Sequence, residues 1–316
     1  MTAPRIFVAA LLASILAACA SPYVLERKTA DELFADAGTD IRDGNGRGAI
    51  TKLEYLKTKY PDFPDREGVD FRLAEARRVN GDLWRAFVEF REFLQRYPIT
   101  SLSSRIESNL FEIGRQLLDS RWSFLGTGLF READDGVAVL YFLVDNFPHG
   151  PKADDALRRV AQYKFLARDY AGAVADYERI IRAYPSSAWR DLAEYRIGIA
   201  YLRSVERADL DRSALLKARE ALGSYLATRP EGSSLEEARA ALYECDEKLA
   251  ESEFRIGEFY RRIDEPFGAR LHYRNAVIGY PVTQYAARAE ARLAEMPPGE
   301  IPLPLSTASR KASGAR

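Results

Sequence analysis

Residues able to do chemistry are few in this chain. Histidine occurs twice, at His149 and His272, and cysteine twice, at Cys19 and Cys245. Two isolated imidazoles exclude a histidine-rich metal site, and two cysteines cannot build a disulfide framework. No GxSxG, HExxH or CxxC arrangement occurs. With 47 acidic residues some carboxylates are neighbours by chance, but no acid/base pair identifies itself for hydrolysis of a glycosidic bond. No metal or cofactor is expected, although carboxylate sites are not excluded, and an enzyme built on paired carboxylates is the least favoured reading. One residue type does sit in a context made for modification. Cys19 follows Leu16-Ala17-Ala18 and precedes Ala20-Ser21, a nucleophilic sulfur flanked by small side chains.

What precedes Cys19 gives that sulfur its meaning. Arg5 opens a short apolar run from Ile6 to Leu16, too short to span a bilayer comfortably and the right size for a signal-peptide core. Leu16-Ala17-Ala18-Cys19 resembles a bacterial lipobox, in which the thiol is acylated and the chain is cut just before it. The resemblance implies a signal peptide over 1–18 and a lipidated linker over 19–27. Ala20, where an aspartate would imply retention in the inner membrane, implies the outer membrane. Palmitate-type chains on Cys19 would be the membrane contact, each buried methylene adding about 0.8 kcal/mol. Cys245 then lacks an intramolecular partner and reads as a small buried hydrophobe within a helix.

Composition points to a folded chain. Lys plus Arg is 46 against 47 acidic residues, a net charge of −1, and 47% of the 316 residues are hydrophobic. That balance, without a dense basic block, argues against binding to nucleic acid through phosphate neutralisation. No later stretch has transmembrane length.

The elements that would position any site follow from an internal repeat. An aromatic-proline pair recurs at Tyr60-Pro61, Tyr97-Pro98, Phe147-Pro148, Tyr184-Pro185 and Tyr280-Pro281, with Arg229-Pro230 as a variant. Twelve residues before each proline stand Ala49, Ala86, Gly136, Ala173, Ala218 and Ala269, all small. Eight before stand Leu53, Phe90, Leu140, Tyr177, Leu222 and Tyr273, all large. Five before stand Leu56, Phe93, Leu143, Ile180, Tyr225 and Ala276. Steps of four and three place these positions on one helical face, and the proline stops the helix. Gly257, Tyr260, Ala269, Tyr273 and Pro281 follow the tetratricopeptide pattern closely. The expected fold is all-α, a tetratricopeptide-type helix-hairpin solenoid over 28–296. Its helix pairs fall near 28–61, 66–98, 104–148, 153–185, 188–230 and 235–281, with a final helix at about 283–295. Repeats three and five carry insertions. The proline-rich tail, 297–316, is expected to be disordered.

A lipobox followed by tetratricopeptide pairs resembles the BamD (ComL) family of outer-membrane protein assembly lipoproteins. The likeness is carried by Lys248-Leu249-Ala250-Glu251-Ser252-Glu253-Phe254-Arg255-Ile256-Gly257-Glu258-Phe259-Tyr260 and by the Ala269, Tyr273, Tyr280-Pro281 hairpin. It covers about 153–296. The resemblance implies a lipid-anchored scaffold of the β-barrel assembly machinery, at the outer membrane and facing the periplasm. Implied partners are a barrel subunit with periplasmic modules and unfolded outer-membrane proteins. Members of the family have five repeats, so the six pairs counted here place an extra one toward the N-terminus, and the C-terminal end is short. A lipid-anchored scaffold for cell-envelope division or peptidoglycan synthesis is the alternative.

Within the insertion of repeat three, Trp122, Phe124, Leu125 and Phe130 lie among Gly126 and Gly128. They are the partner-binding candidates, although a segment folding back over its own hairpin is the preferred reading. The tyrosines at repeat positions read as core. The 40–48 segment, with Asp40, Gly44 and Asn45, lacks calcium-loop spacing and reads as an inter-helix turn. Arg77-Arg78, Arg158-Arg159 and Arg261-Arg262 read as solvated helix faces.

Overall fold

A computed structural model describes residues 25–123, 130–205 and 212–297. Among them are thirteen helices. The first six are α1 (Ala30–Arg42), α2 (Gly46–Lys59), α3 (Arg66–Val79), α4 (Leu83–Arg96), α5 (Ser103–Ser123) and α6 (Phe130–Asn146). They are followed by α7 (Ala153–Leu166), α8 (Tyr170–Ala183), α9 (Arg190–Arg203), α10 (Arg212–Thr228), α11 (Leu235–Arg262), α12 (Pro266–Gly279) and α13 (Gln284–Glu295). The chain forms two compact units, 1–156 and 157–316, with the division inside α7.

Each unit is a run of α-hairpins of the tetratricopeptide type. In the first unit α1 packs on α2, α3 on α4 and α5 on α6, and α1 also touches α3, as α3 touches α5. In the second, α9 packs on α10 and α11 on α12, while α9 touches α11 and α11 touches α13. α1, α3, α9 and α11 thus meet both their own second helix and the next first helix within their unit, which buries an apolar face that one hairpin cannot bury alone. Lys164 Nζ, 2.8 Å from Asp176, ties α7 to α8.

The repeat offsets become the core. Every residue twelve, eight and five before the six prolines is buried, from Ala49, Leu53 and Leu56 in α2 to Ala269, Tyr273 and Ala276 in α12. The small residues of the first helices receive the large ones of the second. A methyl group on Gly114 would lie 2.5 Å from Leu140, one on Gly198 2.6 Å from Leu222, and one on Gly257 2.7 Å from the Tyr273 ring. In all three the intruding side chain is the one eight residues before the proline. Fully buried Tyr177, Tyr225 and Tyr273 are core, as their positions imply.

Turns and caps obey the same register. In the four hairpins without an insertion the residue seventeen before the proline has a positive φ: Gly44 (79°), Gly81 (86°), Arg168 (65°) and Asp264 (59°). The 40–48 segment is accordingly the end of α1 and its turn, with Asn45 capping α2 by accepting a hydrogen bond from the Gly48 N–H at 3.0 Å. At the far end Tyr60, Tyr97, Tyr184 and Tyr280 leave the helical region, with ψ of 67°, 69°, 65° and 56°. This is the bias that a following proline imposes.

The reading of the arginine pairs as solvated faces is corrected at Arg77 and Arg78. Arg77 is buried, and its guanidinium donates to Glu54 Oε1 at 2.6 Å and Glu89 Oε1 at 3.0 Å. Arg78 donates to the buried Asn109 at 2.5 Å. Arg158 lies over the Trp189 ring at 4.3 Å, using its flat cation as packing surface. Arg261 is exposed and pairs with Glu258 at 2.9 Å.

Candidate partner-binding surface

The second unit ends in a hairpin whose two faces are chemically opposite. Inward, two carboxylates of α11 fix its neighbours. Glu253, only 5% exposed, accepts from His272 Nδ1 at 2.8 Å and Asn275 Nδ2 at 3.3 Å on α12, and pairs with Arg212 of α10 at 2.8 Å. Burial alone would raise its pKa, but His272, Arg212 and Asn275 together hold it below the ordinary value. The His272 ring stacks on Tyr260 with centroids 5.5 Å apart. One turn further along, Glu258 accepts from the Tyr273 hydroxyl at 2.5 Å, from Arg261 at 2.9 Å and from Arg292 of α13 at 3.1 Å. Here too burial works against ionisation, and Arg261, Tyr273 and Arg292 overcome it, lowering Glu258 to about 2. Tyr273 is pushed up to about 12 by burial and by that same carboxylate. α11, α12 and α13 are thereby held in one arrangement.

Outward, the hairpin is apolar and cationic. α12 contains no aspartate or glutamate. Phe267, Leu271, Arg274 and Ile278 follow steps of four, three and four, which is one stripe of the helix, and Arg270 flanks it. Phe267 is 55% and Ile278 53% exposed, and Val282, just past the helix, 74%. At the α11–α12 turn Phe259 and Ile263 add two more half-exposed apolar side chains. Neither Arg270 nor Arg274 makes a hydrogen bond or ion pair among the described residues. Exposed aromatic side chains and arginines without ion-pair partners among the described residues, on a firmly held helix, are the composition of an interface centre.

This surface is not the one read from the sequence. Phe124 and Leu125 lie outside the described residues, as do the side chains of Trp122, at the end of α5, and Phe130, at the start of α6. Cys19 also lies outside them. Cys245 is fully buried in the core of the second unit, where burial raises its thiol to about 12. Fourteen residues before the proline, off the buried face, Trp84, Leu216 and Phe267 are each more than two-fifths exposed, but the other three repeats carry Arg47, Asp134 and Ala171 there, so the repeat alone does not single out this surface.

The surface falls within the part of the chain that is similar to known proteins. Residues 130–297 match the model of the family YfiO, outer membrane lipoprotein. The outer membrane protein assembly factor BamD of Pasteurella multocida is 25% identical over 183 residues, 53% of this chain and 66% of that protein. BamD of Vibrio cholerae is 28% identical over 177 residues, 53% of this chain and 72% of its relative. For BamD of Caulobacter vibrioides the figures are 24% over 131 residues, 42% and 43%. The chain thus spans less than two thirds of the Pasteurella and Caulobacter relatives.

Proposed function

The chain belongs to the YfiO outer membrane lipoprotein family, and from that membership we propose that it is a lipid-anchored scaffold for assembling β-barrel proteins at the outer membrane. Acyl chains on Cys19 moor it there, and the helix hairpins face the periplasm. Its work is binding rather than catalysis. Partners are a barrel subunit with periplasmic modules and unfolded barrel proteins.

The observation that carries this reading is the outward stripe of α12. Two arginines with no hydrogen-bond or ion-pair partner among the described residues, set among Phe267, Leu271 and Ile278, fit an acidic and partly apolar protein surface. The hairpin that bears them lies in the family-matched region. Depletion of the protein in its own cell tests the reading. Falling levels of outer-membrane barrel proteins with normal septa support it. A septation defect with normal barrels replaces it with a division or peptidoglycan scaffold. The anchor is tested separately, by mass spectrometry of the mature N-terminus: an acylated Cys19 is expected, and an uncleaved leader contradicts it.

A further inference from the structure

A second site lies in the first unit, before the family-matched residues begin. Lys57 of α2, Asp70 and Leu73 of α3, and Glu89, Glu92, Phe93 and Arg96 of α4 line a cleft of about 120 Å³. Its cations are already engaged. Lys57 Nζ lies 2.7 Å from Asp70, Arg96 also binds that carboxylate, and the Tyr97 hydroxyl donates to it at 3.2 Å. The two glutamates are not so provided for. Glu89 Oε1 takes Arg77 at 3.0 Å and has Arg85 at 3.6 Å, but its Oε2 is buried with no hydrogen-bond partner. Glu92, one turn on and exposed, has no hydrogen bond or ion pair among the described residues.

We propose that this cleft binds the cationic head of a basic side chain presented by an extended polypeptide. Leaving a buried carboxylate oxygen without a donor costs free energy that an incoming N–H group recovers. The terminal torsion of a glutamate is broad, so Glu89 can turn its free oxygen toward such a donor. Glu92 supplies the second acceptor, three residues away on the same helix face. Leu73 and Phe93 provide apolar wall for the methylene stem of the guest. Burial holds the Glu89 carboxyl above its ordinary value, despite Arg77, and a bound cation would bring it down. This site does not depend on the barrel-assembly reading.

The test is titration of the full mature chain, with Cys19→Ser to keep it in solution, followed by TROSY NMR. N-acetyl-arginine methylamide is the probe, and the neutral isostere N-acetyl-citrulline methylamide the control. Saturable shifts around residues 89–93 with arginine and none with citrulline are expected. Glu89→Gln should weaken binding by about tenfold. If Glu89→Gln lowers the melting temperature, the exposed Glu92→Gln takes its place and should also weaken binding. Equal response to citrulline, shifts confined to other residues, or no response to arginine overturns the proposal.

Discussion

Gly257 carries the contact on which the last hairpin closes. With Tyr273 only 2.7 Å from where a β-carbon would stand, Gly257→Val must displace a fully buried ring. Urea melts should show a loss of about 1–3 kcal/mol, the usual range for overpacking. Glu258 gives the hairpin a pH dependence of defined sign. Its folded value of about 2 lies below the ordinary glutamate value of 4.5, so the ionised group stabilises the fold at neutral pH. That contribution fades as pH falls below about 4.5 and is gone below about 2. Glu258→Gln should therefore flatten stability across this window, followed by circular dichroism, and an unchanged slope would refute the assignment. Such pairs were not legible in the sequence. Glu258 meets Arg292 across 34 residues, and Arg77 meets Glu54 across 23, separations at which no spacing rule links a charge to its partner. The core residues were legible, because burial on one face of a repeated helix imposes a period on residue size.

At the scale of elements, hairpin boundaries could be read because a proline ends each second helix and a small residue marks each close approach. The left-handed turn residue seventeen before the proline could not, since only Gly44 and Gly81 declare it. Arg168 and Asp264 adopt the same conformation with a β-carbon in place, at an expense of about 1 kcal/mol relative to glycine. Arg168→Gly should raise the stability of the second unit by up to that amount, and Gly81→Ala should lower that of the first by a similar one. Differential scanning calorimetry resolves both, and the opposite order of melting would contradict the common register. The outward stripe of α12 escaped the sequence reading for a different reason. Trp122, Phe124, Leu125 and Phe130 stand out in the sequence as an aromatic cluster in an insertion. Phe267, Arg270 and Arg274 instead lie inside a regular repeat, where side chains off the buried face look like ordinary surface.

For the whole molecule, the two units carry chemically different surfaces. The second contains most of the family-matched residues and carries the outward apolar and cationic stripe proposed to meet a protein partner. The first holds a cleft in which one oxygen of Glu89, and Glu92, lack partners among the described residues, before the match begins. The family resemblance came from the Lys248–Tyr260 stretch and the hairpin after it, because a long helix with a fixed size pattern leaves a recognisable sequence even at 24–28% identity. A pull-down of the mature protein from detergent-solubilised outer membranes, beside an Arg270→Glu, Arg274→Glu variant, tests the central claim most directly. The wild-type protein should recover a barrel subunit with periplasmic modules. The variant should lose it while melting within about 0.5 kcal/mol of wild type, as a surface change does. Recovery of unrelated envelope proteins alone, or of the barrel subunit equally by both, would contradict the account.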